Sequence, residues 1–136
     1  MAMSRKLSRE TAFLLLFEYF FKQDESAVEI YEHAGEYPDF EESEYTKRAF
    51  FGTCENIKEI GEIIDKCLVG WSSQRVSCAS RAILYLAVYE MLYVEDVPYK
   101  VAINEAVELS KKFEGENSYS FVNGVLNACA SSLSLK

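Results

Sequence analysis

The segment Cys78 to Tyr93, CASRAILYLAVYEMLY, restricts the fold more than any other part of the chain. Between Ala82 and Tyr93 only Glu90 is charged. A helix apolar on nearly every side has no face to offer water, so each face must be covered by another element and the helix belongs at the centre of a small domain. At about 1.5 Å per residue it is far too short to cross a hydrocarbon layer of roughly 30 Å. Its faces therefore need packing partners. No strand-like alternation is long enough to supply them, so they are expected to be amphipathic helices.

The flanking sequence supplies such helices. Met1 to Leu7 reads as a flexible arm carrying Arg5 and Lys6. Ser8 is placed to cap a first helix with Glu10 in its first turn, leaving Arg9 and Glu10 at an exposed end. Ala12, Leu15, Leu16, Tyr19 and Phe20 form its stripe, and Phe13, Phe17 and Phe21 widen the apolar surface enough to predict a largely enclosed helix. A short helix is expected over Ser26 to His33, then a loop through Gly35, Tyr37 and Pro38. Phe50, Cys54, Ile57, Gly61, Ile64 and Leu68 recur at steps of three and four, which predicts one long helix from Ser43 to Cys67. Gly70, Trp71, Ser72 and Ser73 then mark a division within a single domain of residues 1–136: an N-terminal helical half, about 4–70, and a C-terminal half, about 77–132.

Beyond the apolar segment, Pro98 suits a first helical turn and Asp96 places negative charge near its positive end. Ala102, Ile103, Ala106, Leu109 and Phe113 make the buried stripe of this helix. Glu108 precedes Lys111 and Lys112 in the favourable order for helix ion pairs. Gly115 closes the helix, and Asn117 or Ser118 can cap the next. That last helix turns Phe121, Val122, Val125, Leu126 and Cys129 inward. Gly124 in its interior predicts a close approach by another helix or by a ligand, since glycine there costs about 1 kcal/mol relative to alanine.

Composition excludes several functions. The 136 residues suffice for one domain with a real core, and 49% apolar residues argue against disorder. A net charge of −8 is the wrong sign for a wide nonspecific nucleic-acid face, so any such contact must be local or shared with a basic partner. Cys54, Cys67, Cys78 and Cys129 have no zinc-like spacing and mostly fall on apolar stripes, as reduced buried thiols would. No signal peptide or membrane span is present, which reads as a soluble, cytoplasmic protein. His33 stands without a nearby nucleophile, the carboxylates Glu41, Glu42 and Glu44 read as a solvated face, and no P-loop, dinucleotide glycine motif, HExxH or GxSxG occurs. The chain reads as a non-enzyme that needs no cofactor or metal.

Three places suit binding instead. The arm Arg5, Lys6 and Arg9 adjoins a helix start, although a solubilising terminus would look the same. Lys111 and Lys112 lie beside the corner Gly115 to Ser118, where helix N–H groups favour a phosphate, although plain capping also fits. Tyr119 and Phe121 could stack on unpaired bases, although Phe121 equally suits the core.

DVPYKVAINEAVELSKKFEGENSYSFVNGVL at Asp96 to Leu126, RAILYLAVYEML at Arg81 to Leu92 and SRETAFLLLFEYF at Ser8 to Phe20 closely resemble the bacterial NusB transcription antitermination family. The resemblance implies an all-α fold of two packed three-helix bundles, with about six or seven helices. It implies binding to the boxA element of nascent ribosomal RNA together with NusE, a small-subunit ribosomal protein, in a complex acting on RNA polymerase. By motif, RNA contacts would fall on Arg5, Lys6, Arg9, Lys111, Lys112, Asn117, Tyr119 and Phe121. Partner contacts would fall on Phe17 and Glu18 of the first helix and on Ser80 and Arg81 at the start of the central one. Departures from the pattern lower the local positive charge: Leu7 and Ser8 interrupt the basic arm, Ser80 stands where an acid is common, Tyr85 breaks an L-R-L-A run, Glu114 replaces a frequent glycine and Ser120 a frequent base. Weak RNA binding by the isolated protein is therefore expected. The alternative is a helical protein-interaction module or homodimer with little RNA binding of its own; a role as the NusB-like part of an RNA methyltransferase would need a catalytic half that is not in this sequence.

Overall fold

The computed structural model describes residues 4–68, 76–115 and 118–135, and within them every regular element is a helix. In order these are α1 (Arg5–Lys22), α2 (Ala27–Gly35), α3 (Glu44–Glu55), α4 (Ile57–Cys67), α5 (Cys78–Tyr93), α6 (Tyr99–Phe113) and α7 (Tyr119–Ser132). The apolar segment forms α5 over the expected residues, and α1, α3, α4, α6 and α7 all pack on it. Ala82, Ile83, Leu84, Leu86, Ala87 and Val88 are buried in consequence. The turn proposed at Gly70 to Ser73 lies outside the described residues.

Ser4, Ser26, Ser43 and Ser77 cap α1, α2, α3 and α5 through their hydroxyls, and α1 departs from expectation in two ways. Ser26 caps α2 with a full capping box: its hydroxyl accepts from the Glu29 amide and the Glu29 carboxylate accepts from the Ser26 amide. In α1 the cap is Ser4, whose Oγ accepts from the Leu7 amide, so Arg5, Lys6 and Leu7 belong to the helix and not to a free arm. Ser8 is a turn inside and buried. Its Oγ accepts from Ser43 Oγ at 2.8 Å and its carbonyl from Thr46 Oγ1 at 2.9 Å, which ties α1 to the start of α3. Nor is α1 largely enclosed: Leu7, Leu14, Phe17 and Phe21 remain exposed along one side.

The long helix expected from Ser43 to Cys67 is two helices that meet at Asn56 (φ −109°, ψ 23°). Asn56 Nδ2 donates to the Gly52 carbonyl at 2.8 Å, and Asn56 Oδ1 accepts from Tyr93 Oη at 3.2 Å. An asparagine amide competing for the backbone in this way ends a helix without disturbing its apolar period, so the stripe continues through the break. Both pieces lie close to α5. A Cβ on Gly52 would stand 2.5 Å from the Tyr89 ring, and one on Gly61 2.7 Å from Tyr85 Oη.

Gly115 adopts φ +92° and ends the α6 turn as expected. The close approach predicted at Gly124 is absent: the glycine is exposed, and a Cβ there would meet nothing within 4 Å.

Arg9 departs furthest from its sequence reading. It is not at an exposed end but 4% exposed, and it meets Glu90, 1% exposed, between α1 and α5. Arg9 Nε donates to both Glu90 oxygens, at 3.0 and 2.9 Å, and its Nη1 lies 3.5 Å from Glu105 on α6. Tyr45 Oη donates to the same Glu90 carboxylate. The single charge in the apolar segment is thus paired and hydrogen-bonded, as a buried carboxylate must be. Burial still pushes the Glu90 carboxyl above the usual range, and the Arg9 charge opposes that rise.

Candidate nucleic-acid and partner interface

Of the basic residues at the start of α1, Arg5 and Lys6 face solvent and Arg9 does not. The Arg5 guanidinium sits 3.9 Å above the Tyr45 ring and 3.5 Å from Asp96. Tyr45 therefore links the exposed arginine to the buried Arg9–Glu90 pair. Lys6 lines a cleft of about 170 Å³ between α1 and α6 with Arg9, Glu10, Glu105, Glu108, Leu109 and Lys112. The cleft carries both signs of charge, and it brings the first two proposed RNA segments, far apart in sequence, against one another.

At the far end of α6 the expected Glu108 ion pairs do not form. Lys112 Nζ instead reaches across to Glu10, 2.9 Å from Oε1, and lies 5.5 Å from the Phe113 ring. Lys111 Nζ is 4.8 Å from the centre of the Tyr119 ring. A cation held over one face of a half-exposed tyrosine offers a phosphate contact, with the ring's other face for stacking, within one side chain's reach. Phe121 is half-buried and packs on the core. Ser118 precedes α7 without a side-chain cap, and Asn117 lies outside the described residues.

The four residues read as partner contacts are at one end of the α1/α5/α6 layer. Phe17 is 37% exposed, and Phe21, 68% exposed, stacks on it with ring centres 6.1 Å apart. Phe13 continues the run inward, 6.4 Å from Phe17 and 4.9 Å from Phe113, which is itself half-exposed at the end of α6. Glu18 is paired with Lys22 at 2.9 Å. Arg81 lies 5.8 Å from the Phe20 ring and lines a cavity with Tyr19, Gln23, Glu25 and Cys78. Ser80 is the exception to an exposed partner face: it is buried, and its Oγ donates to Glu114 Oε2 at 2.6 Å. Ser77 Oγ donates to the same oxygen at 3.1 Å, and Ser110 Oγ to Oε1 at 3.1 Å.

Glu114 reads from sequence as a loop residue; the antiparallel packing of α5 on α6 sets it over Ser77 and Ser80, while Ser110 reaches it from one turn back on α6. Phe113 was assigned to the buried stripe, and its period fits that stripe; the helix simply ends before covering it.

The cysteines do not add chemistry. All four are free thiols, with Cys67 and Cys129 buried. Burial pushes the Cys54 thiol up to about 12, and burial together with the hydrogen bond it shares with Cys67 raises Cys129. Among the described residues no group of side chains is suited to a metal ion, and no helix is long and apolar enough to cross a membrane.

The NusB family model matches residues 6–131. The chain is 43% identical over 132 residues to the transcription antitermination protein NusB of Clostridium botulinum, covering 92% of this chain and 96% of that one. It superposes on T. maritima NusB with a TM-score of 0.84 at 34% identity, over 96% of this chain and 93% of the other. A crystal structure of the antitermination factors NusB and NusE in complex with dsRNA matches with a TM-score of 0.83 at 30% identity, over 94% and 96% of the two chains. With its helices, its motifs and nearly its whole length matched, this chain belongs to the NusB family, a family of transcription antitermination factors and not of enzymes.

Proposed function

We propose that this chain is a transcription antitermination factor that binds boxA RNA of nascent ribosomal RNA transcripts in the cytoplasm jointly with NusE, within a complex acting on RNA polymerase. The observation that carries the reading is the patch where Lys111 meets Tyr119 and where Lys6 and Lys112 share one cleft. It is small. Glu10, Glu105 and Glu108 stand among its cations, and the whole chain carries −8, so the electrostatic attraction for RNA is modest. Such a surface suits RNA held jointly with a basic partner better than RNA held alone. A relative crystallised together with NusE and dsRNA supports a joint complex of this kind.

Fluorescence anisotropy of a labelled boxA RNA and a scrambled control, with and without NusE and at two salt concentrations, tests the proposal. Selective binding that strengthens with NusE is the expected outcome. Equal binding of both RNAs, or no binding with NusE present, would remove the RNA role.

A second reading, self-association, is favoured by one observation. Leu7, Leu14, Leu15, Tyr37 and Phe40 line an apolar groove of about 440 Å³ between α1 and the α2–α3 connection. Light scattering over a concentration series distinguishes a homodimer from a monomer that waits for another protein.

A further inference from the structure

We propose that the apolar groove between α1 and the α2–α3 connection docks a basic, amphipathic helical segment of another protein, with its apolar side chains in the groove and its lysines or arginines against Asp39 and Glu41. The inference does not depend on the RNA reading. Of the two occupants left open above, a homodimer and another protein, it selects the second.

The groove has two walls. On α1, Leu7, Thr11, Leu14 and Glu18 recur at steps of three and four, which places them within about 60° of arc on one face of the helix. Arg9 is on the opposite face, turned to Glu90 of α5. The groove shares no lining residue with the cleft that holds Lys6 and Lys112, and none of Phe13, Phe17 and Phe21 lines it. The other wall is held in place from behind. The Tyr37 amide donates to the Ala34 carbonyl and the Phe40 amide to the Tyr37 carbonyl, both at 3.1 Å. The Phe40 ring meets Tyr31 edge-on at 5.7 Å, and Tyr31 lies 6.4 Å from the buried ring of Phe50. A groove with both walls anchored is preformed, so filling it costs little ordering entropy. Leu7, Leu14 and Tyr37 are nevertheless exposed in it, and a concave apolar patch of this kind marks an interaction site.

Charge decides the occupant. The stretch Glu36 to Glu44 holds five acids and no lysine or arginine. Glu42 accepts from Tyr31 Oη at 2.9 Å, whereas Asp39 and Glu41 line the groove, are exposed, and form no ion pair among the described residues. Glu18, paired with Lys22, closes one end, and no cation lines the groove. Such a rim repels RNA phosphates and anionic lipid headgroups, and a second copy of this chain would bring another −8 to it. A basic protein is drawn to it instead. The shape of the groove indicates a helix. Every regular element among the described residues is a helix, so no strand edge is on offer to an extended peptide, whereas a helix laid in a groove sets apolar anchors at i, i+3, i+4 and i+7. From Leu7 to Glu18 the wall on α1 runs about 16 Å, the length of about three helical turns.

The test uses the full chain and a labelled helical peptide of about 14 residues, with leucines spaced as above and lysines elsewhere, beside a control of the same residues in scrambled order. Anisotropy titrations at two salt concentrations give affinities, amide chemical-shift mapping gives the location, and light scattering gives the oligomeric state. The patterned peptide is expected to bind a monomer with a Kd on the order of 10–100 μM and about tenfold more tightly than the scrambled one, with shifts centred on the groove. Leu14→Ser should weaken binding about tenfold. Asp39→Asn with Glu41→Gln should weaken it about fivefold at low salt and much less at high salt. Thermal melts check that both variants fold, and if Leu14→Ser does not, the charge variant and the shift map still decide. Equal binding of the two peptides, wild-type affinity in the charge variant, shifts centred elsewhere, or no saturation up to about 1 mM would overturn the inference. A wild-type dimer that Leu14→Ser converts to a monomer would give the groove to a second copy and overturn it as well.

Discussion

Replacing Arg9 by methionine should unfold this protein more readily than any change at its surface, and the effect should depend on pH. Arg9 is a basic residue near the N-terminus, the usual description of a dispensable nucleic-acid contact. In the fold it is the sole cation within salt-bridge distance of Glu90, among the described residues, and Glu90 is 1% exposed. Arg9→Met keeps most of the side-chain volume and strands the carboxylate, with only the Tyr45 hydroxyl still donating to it. Breaking a buried pair from one side costs about 3–5 kcal/mol, against a total stability of about 5–15 kcal/mol for a domain of this kind. The melting temperature should fall by on the order of 10 °C or more. Glu90 already has a raised pKa from burial, and loss of Arg9 removes the main opposing influence. A carboxyl whose folded pKa lies above its unfolded value contributes stability below the unfolded value, and that contribution is lost as pH rises through the folded value. The deficit of Arg9→Met relative to wild type should therefore be largest near pH 8 and shrink toward pH 5. Urea denaturation of both proteins at several pH values measures it, and adding Glu90→Gln should recover part of the loss at pH 8. A deficit below about 1 kcal/mol, or one that does not change with pH, would refute the view that Arg9 serves to neutralise Glu90.

Further outcomes follow from the same geometry. Gly52→Ala should destabilise by about 1–3 kcal/mol, because the buried Tyr89 ring must move, whereas Gly61→Ala should cost less, because only the hydroxyl end of half-exposed Tyr85 is in the way; equal melting temperatures for the two would contradict this. Gly124→Ala meets open space on an exposed helix face and should raise stability by about 0.5–1 kcal/mol in chemical denaturation, a loss of stability being the contrary result. Lys6→Ala combined with Lys111→Ala should leave the melting temperature within about 2 °C of wild type and, with NusE present, lower the salt slope of boxA binding by about one per phosphate contact removed. Cys54, its thiol raised to about 12, should react with a maleimide at pH 8 more than about tenfold slower than free cysteine, as a mass shift over time would record.

What the sequence disclosed and what it hid differ in kind. Period and composition report on faces of helices, so α5, α6 and the core stripe of α7 could be read directly, as could the capping box at Ser26. The break at Asn56 was invisible to period because the apolar residues stay in phase across it; the local signal was an asparagine able to bond the carbonyl four residues back. Gly124 misled for the opposite reason. A glycine in a helix signals either contact or indifference, and sequence alone does not distinguish them. Charges were the hardest to place, because a charge near a terminus looks alike whether it meets water or a buried partner. Arg9 and Glu90 lie 81 positions apart: Glu90 is the lone acid in the most apolar stretch of the chain, while Arg9 is one of four cations in α1 and carries no such mark. A lone acid in an apolar stretch is the cue to search for a buried partner of opposite sign, since a core that admits one charge must supply the other. The same reasoning bears on the site. Of the five cations proposed for RNA, Arg9 is committed to Glu90 and Lys112 is paired with Glu10 at 2.9 Å, which leaves Lys6, Lys111 and the part of Arg5 not engaged by Tyr45 and Asp96. On the proposed reading, so few cations on an acidic chain call for a second protein that brings more positive charge to the same strand.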